Sequence, residues 1–187
     1  LEINNIKIGI SICEDIWENE SPVSSQIRKG AQIIININSS PFEYDKHTKR
    51  INLIKKISKD NKVFVLYTNQ VGGQDELVFD GGSLLTNNCG EIISSSKRFE
   101  EQLMITTFDI KTDSNKQKNQ KENYQTKKIK LNNYKNFNQD TLTIAPNYSK
   151  IDSIYRALVL GTKDYVGKNN FSRVLVAVSG GPDSLAL

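Results

Sequence analysis

Three short runs of β-branched residues constrain this chain most: "IKIGISIC" (6–13), "IIININSS" (33–40) and "VFVLYTNQ" (63–70). Runs that are apolar on both faces suit strands of a covered parallel sheet, whereas strict alternation would suit a half-wet one. The stretches between them read as helices. Ser21 is an N-cap with Pro22 at the first helical position, and Gly30 releases the chain into the second run. In "DKHTKRINLIKKISKDN" (45–61), Ile51, Ile54 and Ile57 recur three apart beside a lysine-rich face, as in an amphipathic helix. Strand, helix, strand, helix, strand is the α/β pattern, in which helices cover a sheet.

Further along, "FDGGSLLTNNCGEIISSS" (79–96) predicts short strands turning at "NNCG", and "QLMITTFDI" (102–110) a closing strand. Apolar residues at 151, 154, 158 and 165 predict a helix interrupted by Gly161. "RVLVAV" (173–178) then reads as another strand, turned by "SGGPDS" into a new helix. The expected organisation is two α/β units, 1–110 and 146–187, joined by a Lys/Asn-rich linker over 111–145.

That linker accounts for the basic balance. Residues 111–139 hold eight lysines against Asp113 and Glu122, while the whole chain carries only +4. With few aromatics interleaved, the segment reads as solvated chain, so nucleic acid is not an expected partner. No apolar run approaches the roughly 20 residues of a membrane span, so no membrane is expected either. Two cysteines far apart, Cys13 and Cys89, make no disulfide framework and suit a reducing compartment, so a cytoplasmic protein is expected.

Cys13 closes the first strand and is followed at once by Glu14, Asp15 and Trp17. The carboxyl end of a parallel strand is where open α/β sheets place ligands. A thiolate there attacks a carbonyl carbon when a base takes its proton and a cation or amide dipole steadies the oxyanion. Equally, free cysteine is often a small buried hydrophobe. Cys89, in a turn, reads as structural. His47, the one histidine, reads as a solvated helix-start residue. Two cysteines and one histidine do not make a four-ligand zinc site.

In the second unit, "VAVSGGPDS" sets glycines between an apolar strand and a helix start. Such a turn lets backbone amides approach phosphate oxygens, with the helix N-terminus completing an anion site. Ala177, Val178, Ser179, Gly180, Gly181, Pro182, Asp183 and Ser184 are the candidate ATP-binding residues, and Asp183 is the candidate Mg2+ ligand. A strand–helix turn with no ligand is the alternative. No Gly-Lys-Ser/Thr follows, so this is not a Walker loop.

"IGISICEDIW", "IININSSPF" and "YTNQVGGQDELVFDGGS" together resemble the glutaminase domain of glutamine-dependent NAD synthetases, within the nitrilase superfamily. "SGGPDS" resembles the pyrophosphate loop of the ATP pyrophosphatases, and "IYRALVLGTKDYVGKNNF" resembles the segment ahead of that loop in the same synthetases. Pro182 departs from the Ile or Gln usual at that position.

The resemblance implies a partial nitrilase-like α-β-β-α sandwich followed by the start of a Rossmann-like ATP-pyrophosphatase domain. It implies a Glu–Lys–Cys triad with Cys13 as the nucleophile, the Glu and Lys falling ahead of Leu1. Glu14 and Trp17 would line a glutamine pocket, with Ser40 and Lys46 near the substrate. From its residues alone, Lys46 is equally a surface lysine at a helix start. Asp75 and Glu76 would lie close by.

The implied partners are glutamine, ATP and nicotinic acid adenine dinucleotide, with ATP and Mg2+ serving the ligase step and a homo-oligomer at full length. The chain then reads as a central fragment, cut at both ends and expected to be inactive alone. A stand-alone nitrilase-type amidohydrolase and a non-catalytic truncated relic are the other readings.

Overall fold

The computed structural model describes residues 1–18, 20–110, 126–129 and 143–186. In chain order the elements are β1 (Glu2–Ile3), β2 (Ile6–Ile12), a 3-10 turn (Cys13–Ile16), α1 (Pro22–Arg28), β3 (Ile33–Asn38) and α2 (Lys46–Asn61). There follow β4 (Phe64–Asn69), β5 (Val71–Gln74), β6 (Leu77–Asp80), β7 (Leu84–Thr86), β8 (Ile92–Ser95), β9 (Lys128–Ile129), α3 (Lys150–Lys168) and α4 (Pro182–Ala186). One sheet runs β8-β7-β4-β3-β2-β1-β9, and β5 and β6 form a separate antiparallel hairpin.

The parallel heart of the sheet is β2–β3–β4, with Ile12 opposite Ile37 and Asn38 opposite Asn69. All three expected central strands form. α1 and α2 cover one face, burying Ile34, Ile54, Val65, Tyr67 and Leu84 as a continuous core. Ser21 caps α1 by accepting from the Ser24 N–H at 3.3 Å, with Pro22 at the first helical position, as the sequence predicts.

The expectation that β2 and β3 are buried on both faces does not hold. Ile10, Ile12 and Ile37 are exposed, because the helices cover only one side of the sheet, and on the other Phe108 stacks against Phe64 at 5.0 Å without reaching these carboxyl-end positions.

Three further expectations need correction. Residues 102–110 form no strand. Gly161 does not interrupt its helix, since α3 runs unbroken from Lys150 to Lys168, capped at Ser149 by the Asp152 N–H. A helical glycine costs about 1 kcal/mol relative to alanine, and here it makes room. A Cβ built on Gly161 would stand 3.1 Å from Val78 Cγ2 of β6, and one built on Gly73 of β5 would stand 3.0 Å from Gly161 Cα. Finally, residues 173–178 form no strand, and Val174, Leu175, Val176 and Val178 are exposed. A strand needs a neighbour to pair its amides, and no described strand lies beside this one.

Most of the lysine-rich linker lies outside the described residues. No helix among the described residues is long and apolar enough to cross a membrane.

Candidate active site

Cys13 sits one residue beyond the last β2–β3 pair, at the carboxyl edge of the sheet. Its φ of +48° is left-handed. A non-glycine residue there costs on the order of 1–2 kcal/mol, and such strain concentrates at functional positions. The turn that follows is built by its own acids and amides. The Asp15 carboxylate accepts from the Ile12 N–H at 2.8 Å, and the Glu14 carbonyl accepts from the Trp17 N–H at 2.9 Å. Asp15 thus has a local task that the sequence left open. The Cys13 carbonyl accepts from Asn36 Nδ2 at 3.4 Å.

Beside it the chain leaves β3 through Ser39 and Ser40. Asn69, at the end of β4, brackets Ser40: its Oδ1 accepts from the Ser40 N–H at 2.8 Å and its Nδ2 donates to the Ser40 carbonyl at 3.1 Å. The same Nδ2 donates to the Gly81 carbonyl at 3.1 Å. The ends of β2, β3 and β4 therefore bring Cys13, Ser40 and Asn69 to one edge.

Two buried hydroxyls there, Ser40 Oγ and Tyr67 Oη, lie near each other but form no well-aligned hydrogen bond among the described residues. Burial pushes the Tyr67 phenol upward, against opposing effects from Arg50 and Ser40, so it stays protonated and able to donate.

The other expected glutamine residues are placed differently. Glu14 is exposed next to Cys13. Trp17 packs toward the helical core, lining a cavity with Val23, Ile27, Leu53 and Ile57 that Cys13 does not line. Lys46 opens α2, and its ammonium pairs with Glu43 at 3.0 Å, which holds that carboxyl below its usual range. Asp75 is a left-handed residue at the β5–β6 tip, φ +50°. Glu76 lines a cavity of about 330 Å3 shared with Phe42, Val78, Ala157, Leu158 and Gly161. Cys89 is exposed in its turn, where its N–H donates to Asn87 Oδ1.

His47 corrects its sequence reading as a solvated residue. Its Nδ1 is sealed from solvent without a partner among the described residues, and the ring lies against the backbone of Gly82. Desolvation, reinforced by Arg98, pushes its pKa down to about 4.

Below the edge lies a charged cluster that sequence reading missed. Asp80, with no solvent exposure, accepts from Arg50 at 2.8 Å and from Arg98 Nε at 2.9 Å. Arg98 also donates to Ser153 Oγ of α3 at 3.0 Å and lies over the Phe99 ring at 4.8 Å. One signal was present. Arg50, Ile54 and Ile57 share helical spacing, so an arginine stood on the buried stripe.

In the second unit, Ser184 Oγ accepts from the Ser179 N–H at 3.1 Å and contacts the Gly181 carbonyl at 3.1 Å, closing the turn that starts α4. Gly180 has φ +84°, and a Cβ built there would meet no atom within 4 Å. The turn is open on that side. No cluster of three metal-ligating side chains occurs among the described residues. Asp183 therefore suits Mg2+ only together with phosphate oxygens. Ala177 and Val178 stand in the exposed segment ahead of it.

A strand-end cysteine in a left-handed turn on a sheet of this order agrees with a match of residues 1–114 to the carbon-nitrogen hydrolase family model. The chain belongs to the carbon-nitrogen hydrolase family. Across 98% of its length it is also 35% identical to the glutamine-dependent NAD(+) synthetase of Thermotoga maritima and, equally, to that of Aquifex aeolicus. It spans about a third of the length of each, 34% in both cases. The structure of the Acinetobacter baumannii glutamine-dependent NAD+ synthetase, solved with adenosine diphosphate, superposes at a TM-score of 0.77 with 31% identity. That match covers 98% of this chain and 30% of the other. The nitrilase-like fold expected from the sequence is thereby shown. The carbon-nitrogen hydrolase match ends before α3, whereas the synthetase matches run almost to the end of the chain.

Proposed function

We propose that this chain is the central part of a glutamine-dependent NAD synthetase. Residues 1–110 belong to its glutaminase unit, 111–145 to a linker, and 146–187 to the start of its synthetase unit. One observation carries the reading: a single stretch of similarity to such synthetases runs through both the Cys13 turn and the Ser179–Ser184 turn. A plain amidase would need only the first.

In this reading the Cys13 sulfur attacks the side-chain amide carbon of glutamine, forming a C–S bond. The C–N bond breaks as nitrogen takes a proton and leaves as ammonia, and water then cleaves the thioester to glutamate. Among the described residues the Cys13 thiol makes no hydrogen bond to a base. The Glu and Lys of the family's triad are assigned to sequence ahead of Leu1, as the resemblance implies.

Ser40 and the Tyr67 hydroxyl supply polar groups at the same edge. Lys46 and Glu14 contribute to holding the amino acid, while the placement of Trp17 favours packing. The Ser179–Ser184 turn would face the phosphates of ATP, with Asp183 and phosphate oxygens sharing Mg2+. ATP then adenylates the carboxylate of nicotinic acid adenine dinucleotide with release of pyrophosphate, and ammonia displaces AMP to give NAD. This chemistry belongs to the cytoplasm.

The test against a stand-alone amidase is exchange of labelled pyrophosphate into ATP by the full-length protein. Exchange that requires nicotinic acid adenine dinucleotide supports the reading. Glutamine hydrolysis without any such exchange contradicts it.

A further inference from the structure

Asn36 stands in the middle of β3, a strand otherwise made of isoleucines up to Asn38, and it has no solvent exposure. Asparagine is disfavoured in strands, and burying an amide is costly unless all its groups are bonded. All of them are. Its Nδ2 donates to Ser11 Oγ at 2.9 Å and to the Cys13 carbonyl at 3.4 Å, and its Oδ1 accepts from Asn38 Nδ2 at 2.5 Å.

Ser11 does not require this partner. Its hydroxyl also reaches the Ile35 carbonyl at 3.5 Å. The Cys13 carbonyl is different, because it lies past the last pair of the β2–β3 ladder, on a residue whose φ of +48° the backbone disfavours. The neighbouring strand meets it with a side-chain amide.

We propose that Asn36 is a positioning residue for Cys13, holding that residue in its left-handed conformation by donating to its carbonyl. The proposal rests on the reading of Cys13 as the nucleophile. Asn38 supports it one step further out, fixing the Asn36 amide so that its N–H groups and not its oxygen face Cys13. Asn38 also pairs in register with Asn69, so the strand end that carries Ser40 and the turn that carries the thiol are braced by one row of asparagines. Asn36 touches no substrate. It acts by setting where the sulfur points, and misplacement of a reacting group by about 1 Å costs on the order of a hundredfold in rate.

The test uses the chain with 13C-labelled cysteine, in which Cys89 serves as an internal reference. Asn36→Leu keeps the volume and removes the donor. Asn36→Thr suits a strand and keeps a hydroxyl for Ser11, but is too short for the Cys13 carbonyl. In both variants the Cys13 Cα and Cβ resonances are expected to shift toward extended-strand values while those of Cys89 stay in place. In the full-length protein the same variants should lose about a hundredfold in glutaminase kcat with KM nearly unchanged.

Unchanged Cys13 resonances in a cooperatively melting Asn36→Thr variant would overturn the proposal. The resonance experiment needs no substrate. A full-length protein without glutaminase activity would therefore count against the proposed function and leave the Asn36 result standing.

Discussion

The Asp164 carboxylate of α3 accepts a hydrogen bond from the Gly73 N–H of β5 at 2.7 Å, joining residues 91 apart in the chain. Lys168, one turn on, donates to the Gly73 carbonyl, so both backbone groups of one glycine are held by one helix. The helix comes this near because Gly73 carries no side chain, and a Cβ there would stand 3.0 Å from Gly161 Cα. Replacing Asp164 with Ala leaves a part-buried amide unpaired and should cost about 1–3 kcal/mol. Gly73→Ala should push the two elements apart, because its added Cβ would meet the backbone of α3. Amide exchange checks both: protection at 71–80 should fall in each variant while protection at 33–38 is retained.

Asp80→Ala should be among the most damaging single substitutions. It leaves Arg50 and Arg98 buried without a counter-charge, a situation that costs about 3–5 kcal/mol. Urea denaturation should show the midpoint falling by that equivalent, and the connection from Arg98 to Ser153 should loosen with it.

His47 gives the chain a pH dependence of defined sign. Its folded pKa of about 4 lies below the ordinary histidine value near 6.5, so the folded state favours the neutral ring. The corresponding stability is complete above about pH 6.5 and is lost as pH falls toward 4, by on the order of 2–3 kcal/mol. Arg98 and Arg50 oppose protonation and Asp80 favours it, but burial is the largest effect. Denaturation at pH 7, 5 and 4 should show a steeper acid loss in the wild type than in His47→Gln. Equal slopes would refute this assignment.

Much of the fold was legible because β-branched runs and capped helices are local signals. Ser21–Pro22, the three-apart isoleucines of α2 and the "NNCG" turn each predicted the element that forms. The failures share one physical cause, partners that a local window does not contain. "RVLVAV" has strand composition, yet no described strand stands beside it. Gly161 looked like a break because its use depends on Gly73 and Val78, far away in sequence. The double-sided burial of Ile10 and Ile12 assumed a second covering layer.

At the candidate site, the strand-end position of Cys13 was legible from the apolar run that precedes it. Its left-handed turn, the Asn36 donor and the Asp80 ion cluster were not: a non-glycine residue does not announce a positive φ, Asn36 reaches Cys13 from the neighbouring strand, and the Asp80 cluster joins Arg50, Arg98 and Ser153 from separate segments. His47 was misread for the same reason. Nothing adjacent to it in the chain buries its ring, and Gly82 and Arg98 do so from a distance.

The most direct measurement is NAD formation by the full-length protein carrying Cys13→Ala, supplied in turn with glutamine and with ammonium. Loss of the nucleophile should lower the glutamine-supported rate by at least about a thousandfold, while the ammonium-supported rate stays within a few-fold of wild type. A Cys13→Ala protein that still used glutamine at a rate near wild type would contradict the assignment of Cys13 as the nucleophile.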